Sequence, residues 1–123
     1  MQNSIIRKVT LKEPISDKEI LRVINKHLLS RGKSNCILDV EIVGKRKMRS
    51  LNKKFMDHDY ATDVLSFPVA AFPKPTDYDF IGTVVLCNDI IDSQAKRLGR
   101  TFSQEFCFYL CHGIDHLVGI HHK

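Results

Sequence analysis

The chain has 123 residues, 43% of them hydrophobic, which suffices for one domain around one core and not for two. Its formal net charge of +5 favours a polyanionic partner without identifying one. No apolar run is long enough for a membrane span, and Met1 to Thr10 lacks the charged, apolar, then small-residue order of a signal peptide, so a soluble, cytoplasmic protein is expected. The four cysteines, Cys36, Cys87, Cys107 and Cys111, form no Cys-x-x-Cys pair and read as core thiols of a reducing compartment.

Ser4 to Leu11 reads as a first strand, with Ile5, Val9 and Leu11 on its apolar side. After Pro14, Ser16 and Glu19 form a capping box, and Ile20, Leu21, Val23, Ile24 and Leu28 lay an apolar face along a helix that Gly32 ends. His27 falls among these core positions and reads as a structural histidine, satisfied or partly exposed. Leu38, Val40 and Ile42 alternate with Asp39 and Glu41, the pattern of a half-buried strand, which Gly44 closes.

Lys45 to Phe55 follows, a helix with Met48, Leu51 and Phe55 in one narrow stripe. Lys45, Arg46, Lys47, Arg49, Lys53 and Lys54 fan over its other side with no acid among them. Such a face is either simply solvated or a contact for RNA phosphates; the missing carboxylates, together with its position leading into Thr62-Asp63-Val64-Leu65-Ser66-Phe67, favour the RNA contact, with Lys45, Arg46, Arg49, Lys53 and Lys54 as the binding residues.

Val64 to Val69 is a continuous strand, as expected for one covered on both faces. Thr62 and Asp63 before it either cap the loop locally or line a cleft. Ala70 to Asp79, with Pro73 and Pro75, is an exposed connection, and Ile81 to Cys87 returns as a strand in which Gly82 marks a bulge or a close backbone approach. Asn88 or Asp89 begins a helix carrying Ile90, Ile91, Ala95 and Leu98 inward as far as Gly99. Thr101 and Gln104 form a second capping box opening the last helix, where Phe102, Phe106, Tyr109, Leu110, Gly113 and Leu117 bury one side and the aromatics read as core rather than as base-stacking platforms. The element order is βαβαββαα, without internal repeat, low-complexity segment or linker.

Four of the six histidines lie between positions 112 and 122. His112 and His116 are spaced to share one helix face a turn apart, which is a chelating geometry. Gly119 can end that helix in the left-handed conformation and turn the chain so that His122 joins them. Three imidazoles with one open position suit a catalytic zinc, whose bound water is acidified toward neutrality. Zinc peptidases with this H-x-x-x-H-x-x-G-x-x-H spacing carry a glutamate after the first histidine as general base; here that residue is Gly113, so a peptidase has no base. Surface histidines near a frayed terminus are the alternative. Cys111 points about 100° away from His112 around the helix and is a poor further ligand.

His112-Gly113, His116-Leu117, Gly119 and His122 resemble the H-G-x-x-H-L-x-G-x-x-H signature of the YbeY family. Leu51-Asn52, followed by Thr62-Asp63-Val64-Leu65-Ser66-Phe67-Pro68, is similar to that family's L-N-x-x-Y-R and T-[DN]-V-L-S-F-P stretches. The resemblance runs from about Val40 to His122 and implies an α+β fold, in which a small, mostly parallel or mixed four-stranded sheet is backed by helices with the zinc helix near the C-terminus. It further implies one Zn2+ per chain and metal-dependent, single-strand-specific endoribonuclease activity in ribosomal RNA maturation and quality control. Ribosomal RNA and ribosome-associated proteins would be the partners, with no membrane involved. A non-catalytic zinc-bearing RNA-binding or ribosome-assembly factor, and a metal-dependent hydrolase of another substrate, are the alternatives.

The chain departs from the pattern at several places. Met56 stands where the family has arginine, with Phe55 in the tyrosine place, and the arginine's task would then fall to Lys53, Lys54 or His58, or be lost. His121 replaces the usual aspartate before the last histidine, so either His121 or His122 would ligate, and Thr83 stands where aspartate is common. Asp115 replaces an apolar residue about 60° from His112 around the helix, where it is either a supporting carboxylate or base for the metal site or a solvated residue.

Overall fold

A computed structural model describes residues 5–8, 15–69 and 79–119. The elements run β1 (Ile5–Lys8), α1 (Asp17–Ser30), β2 (Cys36–Val43), α2 (Lys45–Met56), β3 (Val64–Pro68), β4 (Asp79–Cys87), α3 (Asn88–Leu98) and α4 (Phe102–Leu117), the order the hydropathy pattern predicts. Val9, Leu11, Pro14, most of the proline-containing connection (70–78) and residues 120–123 lie outside the described residues. Among the described residues, no helix is long and apolar enough to cross a membrane.

The strands join in the order β1-β2-β4-β3. The β1/β2 and β2/β4 pairs are parallel, and β3 runs antiparallel to β4. This is a mixed sheet in an α+β chain. The alternation read in β2 is real: Leu38, Val40 and Ile42 are buried and the residues between them half-buried. Those three join Val84 and Leu86 of β4 in the larger core, against Ile20, Ile24 and Leu28 of α1 and Phe106, Leu110 and Ile114 of α4. On the other face, Val43, Leu65, Val85 and Cys87 enclose Met48 of α2 in a smaller core. Burying these aliphatic and aromatic side chains is the main source of stability, at roughly 1.5–3 kcal/mol for each large one.

The helix ends follow the caps read from sequence. Ser16 accepts from the Glu19 amide at 3.1 Å, but the Glu19 carboxylate takes the Ser103 hydroxyl at 3.3 Å instead of closing the expected box, whereas Thr101 and Gln104 make both bonds of theirs. Helix α2 begins at Gly44, which has no capping side chain, and Asp89 of α3 supplies the acceptor, taking the Lys45 amide at 2.8 Å.

Three expectations need correction. In α2 the inward position beside Met48 belongs to Asn52, 2% exposed, whose Nδ2 donates to the Tyr60 carbonyl at 2.8 Å because the loop folding back under the helix needs a donor there. Phe55 is instead 54% exposed, meeting only the margin of the sheet through an edge contact with Phe67 at 5.3 Å. Leu98, in the last turn of α3, is 51% exposed because α3 has reached the end of the layer that covers it. Strand β3 stops at Pro68 and is an edge strand, although Leu65 on one face and Val64 on the other both pack inward.

Gly82 is both a bulge and a close approach. The β2/β4 register slips between Ile37 and Asp39, with Ile81 and Gly82 together facing Leu38. Its φ of +139° is a conformation side chains rarely adopt, and a Cβ there would lie 2.3 Å from the Phe67 carbonyl and 2.9 Å from Leu117 Cδ2. Gly82→Ala is therefore expected to destabilise by more than about 2 kcal/mol in urea unfolding, whereas Ser50→Ala on the exposed side of α2 should stay within about 0.5 kcal/mol.

Candidate metal centre and nucleic-acid interface

Helix α4 is seated on β3 and β4 through Gly113. A Cβ at this position would fall 2.7 Å from Val84 Cγ1 and 3.2 Å from both Val64 Cγ2 and Ser66 Oγ, so only a hydrogen fits between helix and sheet. The Ser66 hydroxyl donates to the Gly113 carbonyl at 3.0 Å and fixes the contact. With residue 113 against the sheet, His112 and His116 come out over the β3 edge.

The two imidazoles meet as the spacing predicts. Their Nε2 atoms are 3.2 Å apart, with ring centroids at 4.7 Å and planes 70° apart. Two nitrogen ligands on a tetrahedral zinc are separated by about 3.3–3.4 Å, so the pair fits such an ion with little movement. The same separation also allows an N–H to bridge the rings, depending on tautomer. Gly119 has a φ of +85°, so the chain leaves α4 through a left-handed residue where the sequence places the turn. His121 and His122 lie outside the described residues, and among the described ones no group of three or more His, Cys, Asp or Glu is placed to hold a metal ion.

The histidines form one wall of a cleft of about 410 Å³. Because β3 is an edge strand, the cleft straddles it: Phe108 and Tyr109 reach it from α4, and Met56 reaches it from the end of α2 on the opposite face. Asp63 and Ser66 line its floor. Asp63 fulfils both of its readings, since its carboxylate accepts the Val64 amide at 2.8 Å and also faces the cleft. Burial, then the nearby carboxylates of Asp63 and Glu105, push the Tyr109 phenol above its ordinary pKa; its hydroxyl donates to Gln94 Oε1 at 2.5 Å. Met56 lines the cleft where the resemblance has an arginine, and among the described lining residues there is no lysine or arginine.

Asp115 is neither solvated nor part of the cleft wall. It is 3% exposed and turned toward α1, where Arg31 donates to it through Nε and Nη2, both at 2.9 Å, and His27 Nε2 lies 2.7 Å from Oδ1. The rotation of about 60° between residues three apart carries the carboxylate off the histidine face and onto the flank that packs against α1. His27 is thus the satisfied structural histidine expected. Cys111 is half-buried and stands outside both cores: burial, followed by Cys107 and Asp115, pushes its thiol up to about 11, against the opposing effect of Arg31.

The basic residues Lys45, Arg46, Arg49, Lys53 and Lys54 are all exposed along α2. The acid that the helix lacks comes from the following loop. Arg49 Nε donates to Asp59 at 2.8 Å, with Lys53 Nζ at 4.0 Å, and the Arg49 guanidinium holds the Asp59 carboxyl below its usual range. Pairing of exposed charges like these is weak and screened by salt. Sequence reasoning missed Phe108 as a cleft residue, although its place four residues before His112 puts both on one helix face.

Fold and site together define an α+β protein with a histidine-lined cleft at a sheet edge beside a basic helix. The chain belongs to the YbeY family: the model of the family described as endoribonuclease YbeY matches residues 4–123. Relatives of that name include one from Aquifex aeolicus, 33% identical over 122 residues covering 99% of this chain and 79% of the relative. Another, from Myxococcus xanthus, is 42% identical over 87 residues, which are 70% of this chain and 30% of that protein. A third, from Wigglesworthia glossinidia brevipalpis, is 31% identical, and the match spans 70% of this chain and 56% of the relative. The fold also resembles a Thermotoga maritima protein solved in solution, with a TM-score of 0.61 and 25% identity over 97% of this chain and 75% of that one.

The carboxylate linking α4 to α1 gives a direct test. Asp115→Asn is expected to lower Tm by about 5 °C or more, because Arg31 and His27 lose the buried charge they share. Asp59→Asn, at an exposed pair, should shift it by less than about 2 °C.

Proposed function

We propose that the chain is a metal-dependent endoribonuclease that cleaves single-stranded ribosomal RNA during maturation and quality control, in the cytoplasm and among ribosome-associated proteins. The observation that carries this reading is the His112–His116 pair, with Nε2 atoms 3.2 Å apart in a cleft at the end of a basic helix. The names of the relatives supply the reaction class. His112 and His116 would hold one zinc ion, with His122 as third ligand. When bound, the ion supplies acidified water and charge compensation at phosphoryl oxygens.

The remaining work belongs to the chain's own side chains. Lys45, Arg46 and Lys54, with Arg49 and Lys53 exchanging Asp59 for phosphate, track the backbone of the strand. Asp63, held against the Val64 amide, is the carboxylate on the cleft floor and would accept a proton there. Asp115 keeps the histidine-bearing turn fixed against α1 as a positioning residue. Met56 in the family's arginine position favours a second reading, a zinc-bearing RNA-binding or assembly factor without catalysis, since no cation lies among the described cleft residues to stabilise the transition state.

Wild-type protein is expected to bind about one equivalent of zinc and to cleave a single-stranded ribosomal RNA fragment, with both lost in His112→Ala and His116→Ala and cleavage lost on chelation. Undiminished metal content in both variants would falsify the metal site, and RNA bound but left intact would favour the non-catalytic factor. Exchanging Lys45 and Arg46 together for alanine should flatten the dependence of log affinity on log salt by about 1.4, read by fluorescence anisotropy, with zinc content unchanged.

A further inference from the structure

We infer that Phe108 is a stacking platform for one unpaired nucleobase, set beside the metal site that the histidine pair would form. The inference rests on the RNA-cleaving reading and adds to it a specificity-determining residue. Phe102 and Phe106 of the same helix are buried in the core, whereas Phe108 is 57% exposed at the cleft. It stands one turn before His112, so ring and imidazole share a wall.

The ring is braced rather than loose. Tyr109 meets it edge to face at 5.1 Å, and Tyr109 is itself tied to Gln94 through its hydroxyl. Across the cleft, the flexible thioether of Met56 presents an adaptable apolar surface of the kind that accommodates planar groups of different size. The described walls carry no lysine or arginine, so the charged part of a nucleotide is directed to the histidines and the basic helix, leaving its uncharged planar part for Phe108 and Met56. A volume of about 410 Å³ admits a group of nucleoside size. A base inside a duplex has both faces covered by its neighbours, so only an unpaired base offers a face to this ring. Stacking on an aromatic face is tolerant of sequence, which makes the site selective for strandedness rather than for one base.

The test is anisotropy titration of a labelled oligoribonucleotide of about 12 nucleotides, within the usual range of single-strand site sizes, and of the same backbone with its central bases removed. Phe108→Ala and Phe108→Leu should each weaken binding of the intact strand by about tenfold, and Phe108→Tyr should stay within about twofold, because leucine keeps apolar area but has no π-face. On the abasic strand the leucine variant and the wild type should bind equally. Leucine matching wild type on the intact strand, or weakening both strands by one factor, would overturn the stacking role. A wild-type protein that binds neither strand at low salt would instead overturn the RNA reading beneath it, so the two failures are distinguishable.

Discussion

Everything at the candidate site depends on how closely α4 lies on the sheet, and that distance is set at Gly113. A glycine inside a helix costs about 1 kcal/mol relative to alanine. Here it allows the helix to rest on Val84, Val64 and Ser66 with no room for a methyl group between them. The Ser66 hydroxyl adds a hydrogen bond across the same contact. From the sequence, Gly113 matters because it denies a peptidase its general base; in the fold, the same residue determines where the neighbouring histidine stands. A helix lifted off the sheet by a side chain at 113 would carry His112 and His116 away from the β3 edge and open the cleft they share with Met56.

A second restraint holds α4 from the side. Asp115 takes the guanidinium of Arg31 through both carboxylate oxygens and the His27 imidazole through one, so the turn between the two site histidines is tied to α1. Charge pairs of this kind specify position more than they add stability, because removing two charges from water costs much of what their attraction returns. The sheet beneath fixes one rotation of the helix and α1 fixes the other, leaving the histidine face to the cleft on the side where β3 ends the sheet.

The edge position of β3 also explains how residues on opposite faces of the sheet reach one cleft. Phe108 comes from the layer of the larger core and Met56 from the end of the helix over the smaller one. The basic surface of α2 thus leads to the cleft through its last turn. Met56 at that junction presents an apolar, adaptable side chain to the cleft, where the resemblance implies an arginine.

The sequence by itself determined what depends on short-range periodicity and local hydrogen bonds. The eight elements in order, the serine and threonine caps, the alternation in β2, the glycine turn after α4 and the pairing of His112 with His116 all follow from residues within a few positions of one another. What only the tertiary structure decided involves partners far apart in the chain. Asp115 looks equally fit for a metal site or for water until α1, more than eighty residues earlier, packs beside it. Phe55 and Asn52 exchange inside and outside because the loop through Tyr60 demands a donor under α2. Phe108 becomes a cleft wall only because β3 falls at the sheet edge, and strand order is a choice among pairings that no single strand's residues encode.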